Sequence, residues 1–181
     1  MGLEEKTLRK NKIYEGKILT LRIDDVELPN GNIATREIIE HPGGVTVAAV
    51  TSCNELVFVK QYRHPYESVL LELPAGKLDK GEPPFEAAKR ELREETGVIG
   101  KDYVSLGQFY PSAGFCDEVL HLYFCTVEEM GAAHPDEDEF IEPVLIPIDQ
   151  AVKMVLNNEI PDGKTQVTVL KTAMILQKKR F

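Results

Sequence analysis

Glu91, Glu94 and Glu95 fall within a single short run, RELREETGV. On a helix turning about 100° per residue, Glu91 and Glu95 lie about 40° apart and Glu94 about 60° to the other side, so all three share one face. Such a face of oxygen donors suits Mg²⁺ or Mn²⁺, hard cations that take octahedral oxygen ligation and keep waters for use with substrate phosphates. The residue types do not choose between the two ions. The competing reading is a solvated charged face, with Lys89, Arg90 and Arg93 as neutralisers. Carboxylates at the carbonyl end of a helix cost a few tenths to about 1 kcal/mol each, and like charges three or four residues apart repel. The pattern therefore calls for positive charge at that place.

The helix that must hold these groups opens at Pro83-Pro84, runs to Thr96 and stops at Gly97. Phe85, Ala88 and Leu92 line an adjacent face that reads as core, while Ala87, one turn before the acids, leaves room on their side. Upstream, Lys12 to Glu40 reads as extended, with Asn30-Gly31 as a hairpin turn, which predicts a small antiparallel sheet. VTVAAVTS and ELVFVKQYRHP form a second hairpin about Cys53-Asn54, and SVLLELP leads into Ala75-Gly76. Strands return at YVSLGQFY, VLHLYFCTVEE and PVLIPI. Asp149 is placed to cap a helix QAVKMVLNN, and Asp162-Gly163 precedes a last helix with Val167, Leu170, Met174 and Ile175 on its apolar stripe. The class is α+β, without alternating βα units.

At 181 residues the chain can bury a sizeable core. Cys53, Cys116 and Cys125, odd in number and widely spaced, argue against a disulfide framework and for a reducing, cytoplasmic setting. No stretch approaches the roughly 18 apolar residues of a membrane span, so no membrane partner is expected. The net charge of −9 opposes nucleic acid as a partner, but a bound divalent cation reverses the local sign of a carboxylate cluster and admits a small phosphorylated ligand.

From Gly76 to Val98 the chain satisfies G(x)5E(x)7REUxEExGU, with U aliphatic, through Gly76, Glu82, Arg90, Glu91, Leu92, Glu94, Glu95, Gly97 and Val98. The stretch resembles the Nudix box. With average residue usage, a chance match in a chain of this length has a probability on the order of 10⁻⁷. The resemblance implies an α/β/α sandwich around a mixed sheet, with a loop–helix–loop at the box. It also implies metal-dependent hydrolysis of a nucleoside diphosphate linked to another moiety. By the family pattern Glu91 and Glu95 are metal ligands, Glu94 a ligand or a partner to water on the metal, and the Ala75 carbonyl a further ligand. Arg90 and Glu82 are expected to pair and fix the loop on the helix. Chemically, a diphosphate ester is attacked by water only once its charge is offset, and a general base must take the proton from that water.

The acidic loop from His134 to Glu139 is the place for that base. Its spacing before PVLIPI resembles the catalytic loop of ADP-ribose pyrophosphatases, with Glu139 at the base position and Glu137 the close competitor. Arg36 and Arg63 are the substrate cations, because guanidinium groups grip phosphates bidentately and stack on flat bases. TREIIEHPGG and VKQYRHPYE resemble the corresponding parts of that subfamily, which implies an N-terminal sheet domain over 1–42, a catalytic domain over 43–181, and a homodimer in which Arg36 could serve the partner's site. In FYPSAGFCDE, Ala113 stands where many ADP-ribose hydrolases carry proline between serine and glycine, so the substrate is less fixed than the chemistry. Glu118 could reach metal or ribose, or pair across strands with Lys or Arg.

The four histidines lack metal-ligand spacing, Cys116 has no neighbouring base in sequence, and no P-loop motif occurs. The expected activity is Mg²⁺-dependent hydrolysis of ADP-ribose or a related nucleoside diphosphate sugar to a nucleoside monophosphate and a sugar phosphate, with Mn²⁺ as the other candidate ion. Two alternatives stand beside it: hydrolysis of modified nucleoside triphosphates, against which the small N-terminal sheet argues, and non-catalytic sensing of sugar nucleotides, against which the complete set of box carboxylates argues.

Overall fold

The computed structural model describes residues 2–135 and 139–178. They fall into two compact units, Met1–Gly43 with Tyr110–Val119, and Gly44–Phe109 with Leu120–Phe181.

The first unit is a three-stranded antiparallel sheet of β1 (Lys6–Glu15), β2 (Thr20–Glu27) and β3 (Ile33–Glu40), with β2 in the middle. The extended run expected from Lys12 begins at Lys6 and is cut in two by a turn, in which the Gly16 N–H donates to the Leu19 carbonyl (2.9 Å). Asn30-Gly31 forms the other turn; Gly31 has φ 83°, a conformation glycine adopts freely. The segment 110–119 joins this unit through β3, where the Ile39 N–H donates to the Phe115 carbonyl (2.8 Å) and the Asp117 N–H to the Ile39 carbonyl (3.0 Å).

The second unit is built on β4 (Gly44–Val50), β5 (Glu55–Arg63), β6 (Ser68–Glu72), β7 (Ala75–Lys77), β8 (Val98–Phe109), β9 (Leu120–Met130) and β10 (Ile141–Pro147). The order is β10-β5-β4-β9-β8, with β6 on β5 and β7 on β4. β4 runs parallel to β9 and antiparallel to β5 and β7, so the sheet is mixed. Helix α1 (Pro84–Thr96) covers one face, and α2 (Ile148–Leu156) and α3 (Gly163–Lys178) the other. Every residue of β4 is buried. Val45, Val47 and Ala49 pack towards α1 with Ala87, Ala88 and Leu92, while Ala48 and Val50 pack with Ala151, Val155 and Val169. A strand covered on both faces has no solvent side to alternate with, which explains the continuous apolar run.

Three local readings are corrected. Ala87 leaves no room beside the acids, because it is fully buried in the α1 core cluster. Asp149 is inside the first turn of α2, whose cap residue is Pro147, and makes no capping hydrogen bond. On α3, Val167, Leu170 and Ile175 pack against the core as expected, but Met174 is exposed, and the most deeply buried positions are Thr165, Thr168, Val169 and Thr172. Those four positions lie within about 100° of arc, but hydroxyls on three of them hide the stripe from a hydrophobic reading. Two hydroxyls are satisfied: Thr165 Oγ1 accepts the Leu73 N–H (2.9 Å) and Thr168 Oγ1 donates to the Lys164 carbonyl (2.7 Å).

Candidate active site

Helix α1 begins as its sequence requires, with Pro83 in extended conformation and Pro84 at the first helical position. It ends at Gly97, whose φ of 71° is left-handed and whose N–H donates to the Arg93 carbonyl (2.8 Å). A Cβ at Gly97 would fall on the backbone carbonyl of Gly131. That close approach lets the Gly131 N–H donate to the Gly97 carbonyl (2.8 Å), and the His134 N–H donate to the Glu94 carbonyl (2.8 Å). The start of the acidic loop is thus stitched to the last turn of α1, using carbonyls the helix leaves unpaired.

Arg90 sits among the carboxylates. Its Nε and Nη2 form a fork on Glu82 (2.9 and 2.8 Å), Nη1 donates to Glu91 (2.7 Å) and Glu94 (3.0 Å), and Nη2 also reaches the Lys77 carbonyl (3.2 Å). All the N–H groups a guanidinium owns are engaged. The Arg90 hydrogen bonds hold the Glu82 carboxyl down at about 2. The expected pair of Glu82 and Arg90 is present, and Arg90 also supplies the neutralising charge that the helix end calls for.

Arg90 does not neutralise the whole cluster. Glu95 is 2% exposed, and burial pushes its carboxyl up to about 8 against the opposing effect of an N–H donated by Ala75 (3.0 Å). The charges of Glu91 and Glu139 push it in the same direction as burial. Glu91 is also raised, again mainly by burial. It lies so close to the backbone of the preceding loop that a Cβ at Gly76 would fall on its carboxylate. Two buried acids that repel each other and a third, Glu139, are an unfavourable arrangement unless a cation joins them.

Among the described residues no three Asp, Glu, His or Cys side chains already close on one point as a metal cage. Glu91 and Glu94 turn to Arg90 instead. The donor set nevertheless fits a hard divalent cation: it is all oxygen, its buried members Glu91 and Glu95 are raised in pKa mainly by burial, and Gly76 leaves Glu91 its space.

Arg63, at the end of β5, forks onto Glu72 through Nε (2.7 Å) and Nη2 (2.8 Å), and its charge acts on Glu95. Glu72 also binds Lys164, which pairs with Asp162 (3.0 Å). Neither Glu72 nor Lys164 was singled out from sequence. The available signal was a lone acid inside the apolar run SVLLELP, since a buried carboxylate requires a partner.

The structure brings Ala75, Glu91, Glu94, Glu95, Glu139 and Arg63 into the second unit, and Arg36, Ala113 and Glu118 into the first. The latter three line one cavity of about 420 Å³, together with Arg22, Tyr110 and Phe115. Arg36 binds Glu5 through Nε (3.0 Å) and Nη2. Glu118 lies 3.4 Å from His41 Nδ1, in place of the Lys or Arg partner considered from sequence. Glu137 lies outside the described residues.

An α/β/α sandwich with clustered carboxylates on a loop–helix–loop is an arrangement compatible with hydrolysis of phosphate esters through hard cations. The NUDIX domain matches residues 40–167, and the nucleoside diphosphate sugar hydrolase N-terminal domain matches residues 5–39. The chain belongs to the Nudix family. It is 44% identical to an ADP-ribose pyrophosphatase of Bacillus subtilis (strain 168) over 98% of this chain and 99% of that one. It is 45% identical to a methanol dehydrogenase activator of Bacillus methanolicus, over 92% of this chain and 91% of the other. A crystal structure of an ADP compounds hydrolase superposes with a TM-score of 0.86 at 19% identity, covering 99% and 98% of the two chains, and shares the fold.

Proposed function

We propose that this enzyme hydrolyses the pyrophosphate bond of ADP-ribose or a related nucleoside diphosphate sugar, releasing a nucleoside monophosphate and a sugar phosphate. The observation that carries this reading is the buried pair Glu91 and Glu95, raised in pKa mainly by burial and with Glu91 packed against Gly76, within a complete box. The N-terminal domain match and the name of the Bacillus subtilis relative support the substrate class.

Glu91, Glu95 and the Ala75 carbonyl would hold Mg²⁺, with Mn²⁺ as the alternative ion, and Glu94 would assist. Once bound, the cation would supply charge to offset the diphosphate and would lower the pKa of water near it. The chain's own contribution is positional. Arg90 fixes the loop carrying Gly76 and Lys77 to the helix through Glu82 and the Lys77 carbonyl. Glu139, on the loop pinned to α1 at Glu94, takes the proton of the attacking water. Arg63 offers guanidinium donors to the diphosphate, and Arg36, Ala113 and Glu118, on one cavity of the first unit, are proposed as further substrate-binding residues.

The enzyme acts as a homodimer through the N-terminal sheet. The exposed Leu8, Ile13, Tyr14 and Ile33 of its strands support that assembly. No helix among the described residues is long and apolar enough to cross a membrane, and the cytoplasm is the proposed compartment. Turnover of ADP-ribose, GDP-mannose and an oxidised dGTP in Mg²⁺ tests the assignment. Preference for the sugar nucleotides is expected; preference for the triphosphate, or binding without turnover, overturns it.

A further inference from the structure

Glu72 is an acid in the wrong place. It ends β6 between Leu71 and Leu73, is 2% exposed, and gains nothing from solvent. Burial pushes its carboxyl up, yet the Arg63 fork and Lys164 outweigh burial and hold it ionised below the ordinary range. The Arg63 side chain does not bond its own cross-strand neighbour. Arg63 stands opposite Ser68 and Glu72 opposite Val59, so the guanidinium is drawn back along the β5–β6 ladder to reach the acid. Lys164 is equally misplaced by local rules, since it is a cation in the first turn of α3, where the helix dipole disfavours positive charge. It is largely buried and spends its ammonium on Glu72 and Asp162.

This arrangement has a directional consequence. A guanidinium offers two bidentate edges, a side-on pair from Nε and Nη2 and an end-on pair from Nη1 and Nη2. Glu72 takes the side-on pair. Among the described residues Nη1 of Arg63 has no hydrogen-bond acceptor, and about a third of the side chain remains exposed. The end-on edge is the one left for an anion. We propose that Glu72, its carboxylate fixed by Lys164, is a positioning residue that holds Arg63 by one edge and presents the other to the substrate diphosphate. The inference rests on the reading of Arg63 as a substrate cation.

The test is steady-state kinetics with ADP-ribose and Mg²⁺, paired with calorimetric binding of α,β-methylene ADP-ribose, for Glu72→Gln, Lys164→Met, Arg63→Ala and the double variants. Glu72→Gln keeps the shape but loses the charge that grips Arg63; it should raise KM and Kd about tenfold while kcat stays within about threefold. Lys164→Met should raise KM about threefold, and neither change should raise KM further in the Arg63→Ala background. A KM for Glu72→Gln within error of the parent, beside an impaired Arg63→Ala, overturns the positioning role, as do effects that multiply in the double variant. An unimpaired Arg63→Ala overturns the substrate role of Arg63 and this inference with it. Absence of any ADP-ribose turnover in the parent overturns the proposed function instead. If Glu72→Gln does not fold, Lys164→Met decides: a parental KM overturns the role.

Discussion

Gly76→Ala separates the fold of this enzyme from its activity. The added methyl would land on the Glu91 carboxylate, not on backbone. To restore a carbon–carbon separation of about 3.5 Å, the carboxylate must retreat by about 1.5 Å. Glu91 is the far end of a flexible side chain, so the move is sterically easy. Its stability cost is the weakened hydrogen bond from Arg90 (2.7 Å), on the order of 1 kcal/mol. The functional cost is larger: an offset of about 1 Å in a catalytic group is worth about 10²-fold in rate, so Gly76→Ala should lose about two orders of magnitude in kcat. Thermal unfolding should fall by only a few degrees, and the Mg²⁺ concentration for half-maximal activity should rise. The assay is kcat against Mg²⁺ alongside a melting curve. Near-parental turnover would refute the placement of Glu91 under Gly76, and loss of fold would refute the claim that only a side chain must move.

The protonation of Glu95 gives a prediction without substrate. Its carboxyl is raised from 4.5 to about 8 in the folded protein, so its contribution to stability is full below about pH 4.5 and is lost as pH rises to about 8. The loss has an upper limit of about 5 kcal/mol; metal-free protein should melt progressively lower across that window, and Glu95→Gln should flatten that part of the profile while lowering kcat by orders of magnitude. Glu139→Gln should cut kcat by about 10² to 10⁴ with the melting temperature near parental, as expected for loss of a general base; a loss under threefold would remove Glu139 from that role. Gly97→Ala meets a backbone carbonyl and a left-handed φ together, so it should destabilise the protein by more than about 1 kcal/mol, read by denaturant titration.

Much of the site was legible because its parts are neighbours in sequence. Gly76, Glu82, Arg90, Glu91, Glu94, Glu95 and Gly97 lie on one loop and one helix, where spacing fixes geometry. The central strands were legible for a similar reason, since VTVAAV carries its burial in its composition. The Arg63–Glu72–Lys164 group was not. Lys164 and Glu72 are 92 positions apart, and only the packing of α3 against the sheet brings them together. The α3 stripe was legible at Val167, Leu170 and Ile175 but incomplete, because Thr165, Thr168 and Thr172 occupy core positions under polar names. Arg90 was recognised as the partner of Glu82, but its further bonds to Glu91 and Glu94 depend on rotamers that spacing leaves open.

The central claim is that the box carboxylates direct water onto the diphosphate of a sugar nucleotide. Incubation of ADP-ribose with the enzyme and Mg²⁺ in ¹⁸O-labelled water, with products resolved by mass spectrometry, tests it most directly. The account predicts AMP and ribose 5-phosphate in equal amounts, one ¹⁸O in one of the two, and no such products from Glu95→Gln. Intact ADP-ribose after prolonged incubation, release of inorganic phosphate or pyrophosphate, or full activity in Glu95→Gln would contradict it.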